Sequence, residues 1–196
     1  MFSTTHILFA DVVYKTMRDK YRIRLNKNSL RYGSIKPDIL SMFARLPHYK
    51  EESFEYILWE MKRLIGKMSF PGQLEDRSAS RKAGQILHYI SDYFCFAHNN
   101  EVLMCRMLPH LVYEQRLARF SSRRMFEGLR RAVLAQPSGL EDHKYDFGAY
   151  ISARHAEYLS DKVHFSTDIQ YAIDACMAAG AYLAEGCMHN VSVKTA

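Results

Sequence analysis

Several features that would assign a chain to a special class are absent from this sequence. No apolar run approaches the roughly 18 to 20 residues needed to span a bilayer, so no transmembrane helix is predicted. Nine glycines and five prolines in 196 residues exclude a collagen-like or linker-like chain. The first twenty residues have no basic n-region, no long apolar core and no small-residue cleavage site. This predicts that there is no secretory signal, and the default expectation is a cytoplasmic protein.

Cysteine motifs and strand patterns are also absent. The four cysteines form no C-x-x-C pair, so no thiolate zinc knuckle is visible. In a reducing compartment we expect them to be free thiols that pack as small apolar side chains. They are Cys95, Cys105, Cys176 and Cys187. No segment sustains the alternation of apolar and polar residues that is typical of a β-strand.

The composition is that of one globular domain, which we expect to span residues 1–196. The chain is 48% hydrophobic and 13% aromatic, which disfavours disorder. It carries 27 basic and 21 acidic residues, and this small excess favours anionic partners. Six of the basic residues fall in one stretch that we interpret as a solvated helix face. They are Arg116, Arg119, Arg123, Arg124, Arg130 and Arg131.

Apolar residues recur at helical spacing through most of the chain, which predicts an all-α domain of about six helices. The stretch 24–37 contains Asn, Gly and Pro and is interpreted as a loop, with a short helix beginning at Pro37. The longer helices are predicted at about 5–19, 51–67, 80–97, 109–134, 142–161 and 166–186.

Histidines spaced four residues before an acid are more frequent than chance predicts. Nine histidines and 21 acids in 196 residues should give about one such pair, whereas four occur. They are His48/Glu52, His88/Asp92, His110/Glu114 and His164/Asp168. On a helix this spacing places both side chains on one face, where they can reach a single metal ion.

The pair His88/Asp92 lies in a largely apolar helix, where two polar side chains are costly to bury without partners. Metal coordination would satisfy both groups, and a buried His–Asp hydrogen bond is the alternative. In the last third of the chain, His143, His155 and His164 are interpreted as structural.

Eight residues, taken in order, resemble the zinc-dependent phospholipase C family, whose fold is shared with single-strand-specific zinc nucleases. The match covers about residues 1–115 and keeps the ten-residue interval between the first helical histidine and the next histidine. The matching residues are His6, Asp38, His48, His88, Asp92, His98, His110 and Glu114. The resemblance implies a compact multi-helix fold with two to three zinc ions.

The resemblance also implies how the ligands are divided among three sites. The first site takes the helical pair and the residues before it, namely Asp38, His48, His88 and Asp92. The second takes His98, His110 and Glu114. In the third, Asp92 bridges to an ion that is also held by His6 and by the amine and carbonyl of Met1. In the family this last position is a tryptophan exposed by signal cleavage, and this chain departs from that pattern.

The implied activity is hydrolysis of a phosphodiester bond by attack of a zinc-bound hydroxide on phosphorus. Asp38 is either a ligand or the general base. The expected substrate is a phospholipid or a soluble phosphodiester, with transient contact to a membrane surface and no stable nucleic-acid complex. The alternatives are a single-strand nuclease-like enzyme, another soluble phosphodiesterase of the same fold, and a non-catalytic zinc-binding helical protein.

Overall fold

The computed structural model describes residues 1–39, 46–68, 70–135 and 146–194, and all regular structure in these ranges is helical. The all-α class predicted from the sequence is therefore correct. The α-helices are α1 (Ser3–Lys20), α2 (Lys27–Ile39), α3 (Lys50–Lys67), α4 (Arg77–Asp92), α5 (Glu101–Met104), α6 (Met107–Phe120), α7 (Arg123–Ala135), α8 (Phe147–Ser160) and α9 (Phe165–Lys194). Short 3₁₀ helices span Pro71–Glu75 and Phe96–His98. His143, which we interpret as structural, lies outside the described residues.

The prediction of a loop through residues 24–37 is wrong, because α2 begins ten residues before Pro37. Asn26 caps this helix, since its side-chain oxygen accepts a hydrogen bond from the Ser29 amide over 3.0 Å. Pro37 lies in the last turn and does not start a new helix. Packing against α4, rather than local propensity, accounts for a helix in this Asn- and Gly-containing stretch.

Two glycines allow α2 and α4 to approach each other through their backbones. A Cβ atom on Gly33 would lie 2.1 Å from the Arg81 carbonyl oxygen, and a Cβ atom on Gly84 would lie 2.1 Å from the Leu30 carbonyl oxygen. Only glycine fits at both positions without moving one helix. This close approach determines where the C-terminal end of α2, which carries Asp38, lies relative to α4.

The single helix predicted at about 109–134 is two helices, α6 and α7. Ser121 has an extended backbone and ends α6, and the Ser122 hydroxyl accepts a hydrogen bond from the Met125 amide at the start of α7. Serine competes for backbone hydrogen bonds and favours helix caps, which explains the break. The helix predicted at 80–97 also ends early, because α4 stops at Asp92.

The core is built around α4 and α9. Every residue of α4 from Ile86 to Asp92 is buried, so polar side chains in this segment lie in the interior. Small residues on α9 allow close packing, and Gly180 lies against Val13 of α1. None of the helices in the described part of the chain is both long and apolar enough to cross a membrane.

Three of the four cysteines are buried free thiols, as predicted, whereas Cys105 is exposed. The arginine stretch is mostly exposed, as predicted, with one correction. Arg130 is buried and pairs with Glu127 at 2.9 Å and with Asp19 at 3.4 Å, so it joins α7 to α1.

Candidate metal centre

The Asp92 carboxylate lies at the centre of the site and has no exposure to solvent. Its Oδ2 atom lies 3.2 Å from Nε2 of His88, one turn earlier on α4, and 3.1 Å from Nδ1 of His48. Its Oδ1 atom lies 3.4 Å from Nε2 of His6 on α1 and 2.5 Å from the α-amino nitrogen of Met1. One carboxylate therefore lies close to four nitrogen atoms, which come from three separate parts of the chain: the N-terminal segment, the residues before α3, and α4.

A second group adjoins the first and is formed by the 3₁₀ helix after α4 and by α6. The Glu114 Oε1 atom lies 2.9 Å from Nε2 of His110 and 3.1 Å from Nε2 of His98. The Met1 nitrogen connects the two groups, at 3.0 Å from Glu114 Oε1 and 3.2 Å from His98 Nε2. His98 Nε2 is also 3.6 Å from Asp92 Oδ1.

Asp38 reaches the cluster from the end of α2. Its Oδ1 atom lies 3.5 Å from Nε2 of His88, and its Oδ2 atom lies 3.9 Å from Nε2 of His6. The Asp38 side chain is 29% exposed, whereas those of His6, His88 and Asp92 are fully buried. Asp38 therefore occupies the solvent side of the cluster.

Two outer contacts determine which ring nitrogens of the buried histidines carry a proton. His88 Nδ1 lies 2.9 Å from the Ser34 carbonyl oxygen, which can only accept, so Nδ1 carries the proton. His6 Nδ1 lies 3.0 Å from the Ser91 hydroxyl, whose own proton is donated to the His88 carbonyl oxygen. His6 Nδ1 is therefore also the donor, and both Nε2 lone pairs point into the cluster.

This arrangement places acceptor atoms face to face. The unprotonated Nε2 of His88 faces one oxygen of Asp92 and one of Asp38, and neither His6 Nε2 nor His88 Nε2 has a hydrogen-bond partner in the described chain. Lone pairs that face each other in a buried site need a cation between them. The donor set contains only imidazole nitrogen, carboxylate oxygen and an amine, which suits zinc.

Four combinations of these residues have ligand atoms that all lie within 4.8 Å of one another and could hold a metal ion. They are His6/His88/Asp92, Asp38/His48/His88, His48/Asp92/His98 and His98/His110/Glu114. The structure thus brings all nine residues singled out in the sequence into one cluster. Of the four helical His–acid pairs, His88/Asp92 and His110/Glu114 contribute both members.

The electrostatics of the cluster keep the buried His6 and His88 neutral and Asp92 charged, whereas at His48 the effect of burial is outweighed by the hydrogen bond with Asp92, which raises the pKa. Burial lowers the pKa of His88 to about 3 and lowers the pKa of His6 as well. Burial alone would raise the pKa of Asp92, but the Met1 amine and the neighbouring imidazoles hold it well below its ordinary value. Neutral imidazole and ionised carboxylate are the forms that bind metal ions.

Three side chains of the cluster are partly exposed to solvent among the residues that the structure describes. The side chains of Asp38, His48 and His110 are 29%, 20% and 19% exposed. Next to them, Tyr89 packs edge-on against His48 and lines a cavity of about 200 Å³. Lys36, Lys82 and Glu60 also line this cavity, and because Lys82 pairs with Glu60 at 3.0 Å, the cavity keeps one net positive charge. A larger cavity, of about 420 Å³ between α3 and the start of α4, contains none of the nine residues.

Sequence reasoning missed a residue that supports the second group. Asp168 on α9 is fully buried and accepts hydrogen bonds from the Phe96 amide at 3.1 Å and from the hydroxyls of Tyr113 and Tyr158 at 2.9 Å each. Phe96 begins the 3₁₀ helix of His98, and Tyr113 precedes Glu114. The sequence did contain a signal for this role, since Asp168 is an acidic residue among apolar residues near the start of α9, four residues after His164.

The two structural histidines predicted in the described part of the C-terminal third differ in their environments. His155 is buried and its Nε2 atom lies 2.8 Å from the Asn99 side-chain oxygen, one residue after His98. Asn99 in turn donates to the carbonyl oxygens of Tyr93 and Cys95. His164 is exposed and bonds only locally, to Ser166. Neither histidine belongs to the cluster.

Comparison with known proteins adds an independent observation. A family model described as zinc dependent phospholipase C matches residues 5–165 of the chain. The match extends about fifty residues beyond the last residue of the cluster and includes α7 and α8. No curated protein and no solved structure matches the chain.

Proposed function

The chain belongs to the zinc-dependent phospholipase C family, and from that premise we propose that its clustered groups bind two or three zinc ions and that it hydrolyses the phosphodiester bond of a phospholipid. The observation that carries the proposal is the pairing of acceptors, in which the unprotonated Nε2 of His88 faces the carboxylates of Asp92 and Asp38. A buried His–Asp hydrogen bond does not explain this geometry, since the His88 proton is on Nδ1.

Each proposed zinc position uses ligands from one part of the cluster. The first comprises Asp38, His48, His88 and Asp92. The second comprises His98, His110 and Glu114. The third would be held by His6, the Met1 amine and the Asp92 carboxylate, whose Oδ1 atom faces both groups. The shared carboxylate reduces repulsion between neighbouring dications, which supports an arrangement centred on Asp92.

Bound zinc supplies charge neutralisation of the phosphodiester, a lowered pKa for a coordinated water and stabilisation of the leaving alkoxide. The Asp38 side chain is 29% exposed and lies 3.5 Å from His88 Nε2 and 3.9 Å from His6 Nε2, which suits a group that takes a proton from a substrate water. In the proposed reaction a water oxygen bonds to phosphorus while its proton moves to Asp38. The bond from phosphorus to the glycerol oxygen then breaks, and Asp38 returns the proton to that oxygen.

The cavity beside Tyr89 supports the choice of an anionic substrate. It is lined by Lys36, Lys82 and Glu60, which leaves one net positive charge, and its Tyr89 packs against His48 of the cluster. Positive side chains at a mouth attract a phosphodiester before it reaches the cluster. We therefore assign the substrate entrance to this side.

The test is hydrolysis by untagged, zinc-loaded protein of three substrates: phosphatidylcholine, a chromogenic phosphodiester and single-stranded DNA. We expect hydrolysis of the first two and its loss in His88→Ala. His164→Ala is the matched control, because His164 is exposed and outside the cluster. Cleavage of DNA alone would favour the nuclease alternative, and bound zinc without turnover would favour a non-catalytic protein.

The variant Asp38→Asn separates the two roles left open for Asp38. Because His48, His88 and Asp92 still hold the first ion when Asp38 is replaced, we expect normal zinc content and a fall in turnover of about 10² to 10⁴-fold if Asp38 is the general base. A fall in zinc content by one ion would instead make Asp38 an essential ligand.

A further inference from the structure

The surface formed by α5 and the first turns of α6 exposes large apolar side chains. Met107 is 78% exposed and Leu108 is 76% exposed, which are the highest values among the large apolar residues of the described chain. Val102, Leu111 and Val112 are 59%, 44% and 45% exposed. We refer to these five residues as the α5–α6 apolar surface. Single exposed apolar residues are ordinary, but a contiguous group marks an interaction site.

The helical positions show that this surface is distinct from the core-facing side of α6. Leu108, Leu111 and Val112 are spaced three and four residues apart and share the outer face. Glu114 and Leu117 are buried on the inner face, where Glu114 joins the metal centre. The helix therefore carries ligands on one side and, on the other, an apolar face that no described residue covers.

The charge around the apolar surface is positive. Five exposed arginines lie within residues 101–124, and none of them forms an ion pair with another residue that the structure describes. They are Arg106, Arg116, Arg119, Arg123 and Arg124. The acids of the same stretch are Glu101 and the buried Glu114. An apolar face bordered by basic residues matches the chemistry of an anionic lipid surface.

We propose that the α5–α6 apolar surface docks onto membranes that contain anionic phospholipids, with Met107 and Leu108 inserted below the headgroups. His110 lies in the same two turns of α6 and is part of the metal centre, so docking holds the centre within about one helix diameter, 10–12 Å, of the lipid. The inference rests on the proposed function for the identity of the substrate. Binding to vesicles requires no hydrolysis and can be measured separately.

A second copy of the chain is a poorer occupant of the surface. In a symmetric dimer the same patch meets itself, so the arginines that border one copy would face those of the other. Like charges at a desolvated interface cost free energy, whereas lipid phosphates would pair with them. Charge complementarity thus favours an anionic bilayer over a second copy of the chain as the partner of the α5–α6 apolar surface.

The experiment measures partitioning onto vesicles of phosphatidylcholine alone and of phosphatidylcholine mixed with phosphatidylglycerol. The double variant Met107→Ser, Leu108→Ser should bind the mixed vesicles at least about tenfold more weakly. Leu159→Ser, Val163→Ser is the matched control, because these apolar residues are 56% and 59% exposed in the last turn of α8 and in the segment that follows it, outside the α5–α6 apolar surface. We expect it to bind as the wild type does.

The charge is tested by Arg116→Gln, Arg119→Gln, which should lose the preference for mixed vesicles while keeping its thermal melting temperature. Raised salt should weaken wild-type binding in the same way, because it screens the arginines. Equal binding by all variants, or binding that ignores phosphatidylglycerol, would overturn the proposal. A dimer in light scattering that Leu108→Ser dissociates, with no vesicle binding, would assign the surface to self-association.

Hydrolysis separates a failure of docking from a failure of the proposed function. The ratio of vesicle hydrolysis to hydrolysis of a soluble chromogenic diester should fall about tenfold in the Met107, Leu108 double variant. Vesicle binding without any turnover would reject the hydrolase and retain the docking surface. Turnover of vesicle lipid that is unchanged in the double variant would reject the docking surface and retain the hydrolase.

Discussion

The Phe96 backbone amide donates a hydrogen bond to the Asp168 carboxylate across a separation of 72 residues in the chain. The contact fixes the 3₁₀ helix that presents His98 to the metal centre. The same carboxylate accepts from Tyr113, the residue before Glu114. Asp168 is therefore a positioning residue that couples α9 to two members of the second metal group.

Replacing Asp168 tests this coupling. Asp168→Ala leaves three buried donors without an acceptor, so we expect zinc affinity at the His98, His110 and Glu114 group to fall about 10- to 100-fold. Zinc affinity should fall less in Asp168→Asn, because the amide oxygen of the asparagine can still accept hydrogen bonds from Phe96 and Tyr113. Competition with a chromophoric chelator measures the affinity.

The matched control for this experiment is Asp174→Ala. Asp174 also lies on α9 and also accepts from a tyrosine of α8, Tyr150, but its hydrogen bonds and ion pairs in the described part of the chain do not involve Phe96–His98 or α6. We expect its loss to lower stability without changing zinc affinity. Equal losses of affinity in Asp168→Ala and Asp174→Ala would mean that the effect is general destabilisation.

The pH dependence of stability gives a second test of Asp168. Burial raises the pKa of Asp168 to about 6, above the ordinary value for an aspartate. The folded state therefore holds a proton that the unfolded chain loses near pH 4, so this group makes the free energy of unfolding fall as pH rises from about 4 to about 6. The change is on the order of 3 kcal/mol.

Urea unfolding of metal-free wild type and Asp168→Asn across this pH range isolates that contribution. Other titrating groups contribute equally to both proteins, so subtracting one unfolding free energy from the other leaves the contribution of Asp168. The unfolding free energy of the wild type should fall relative to that of Asp168→Asn as pH rises to about 6, and the difference should then stay constant. A difference that does not depend on pH would show that Asp168 titrates normally.

The close approach of α2 and α4 predicts a sharp effect at Gly84. A methyl group there would meet the Leu30 carbonyl oxygen at 2.1 Å, so Gly84→Ala should lower the free energy of unfolding by about 3 kcal/mol. Gly128→Ala on α7 is the control. Nothing lies within 4 Å of its added carbon, and we expect a gain of about 0.5–1 kcal/mol. Denaturant unfolding measures both, and similar effects at the two sites would contradict the packing argument.

The proposed third zinc position depends on the Met1 amine, whose nitrogen is buried between Asp92 and Glu114. Two residues, Gly-Ser, added before Met1 replace this amine by an amide that cannot bind zinc. We expect the extended chain to hold one zinc fewer than a chain with the same extension at its C-terminus. Equal zinc content in the two proteins, measured by mass spectrometry of the metal, would show that the amine is not a ligand.

Some of these features could be predicted from sequence because they depend on local spacing. The pairs His88/Asp92 and His110/Glu114 share a helix face by virtue of the four-residue interval alone. The order of the ligands along the chain then suggested the cluster. The all-α class followed from helical periodicity that is sustained over long segments.

The remaining features depend on contacts between distant residues. From the sequence alone, Gly33 predicts a break in a helix. Its role in the close packing of α2 against α4 is visible only from its approach to the Arg81 carbonyl oxygen. In the sequence, Asp168 cannot be distinguished from an acid that follows a histidine by chance, because its hydrogen-bond donors Phe96 and Tyr113 lie more than fifty residues away. Exposure of Met107 and Leu108 depends on which face of α6 the core covers, which spacing alone does not specify.

Zinc binding by the cluster around Asp92 can be observed in an anomalous difference map, collected at the zinc absorption edge from crystals of untagged protein purified without added chelator. We expect two or three peaks, each within about 2.0–2.2 Å of imidazole nitrogen or carboxylate oxygen atoms of the cluster. Full occupancy elsewhere with no peak beside Asp92, or no zinc peak at all in active protein, would contradict it.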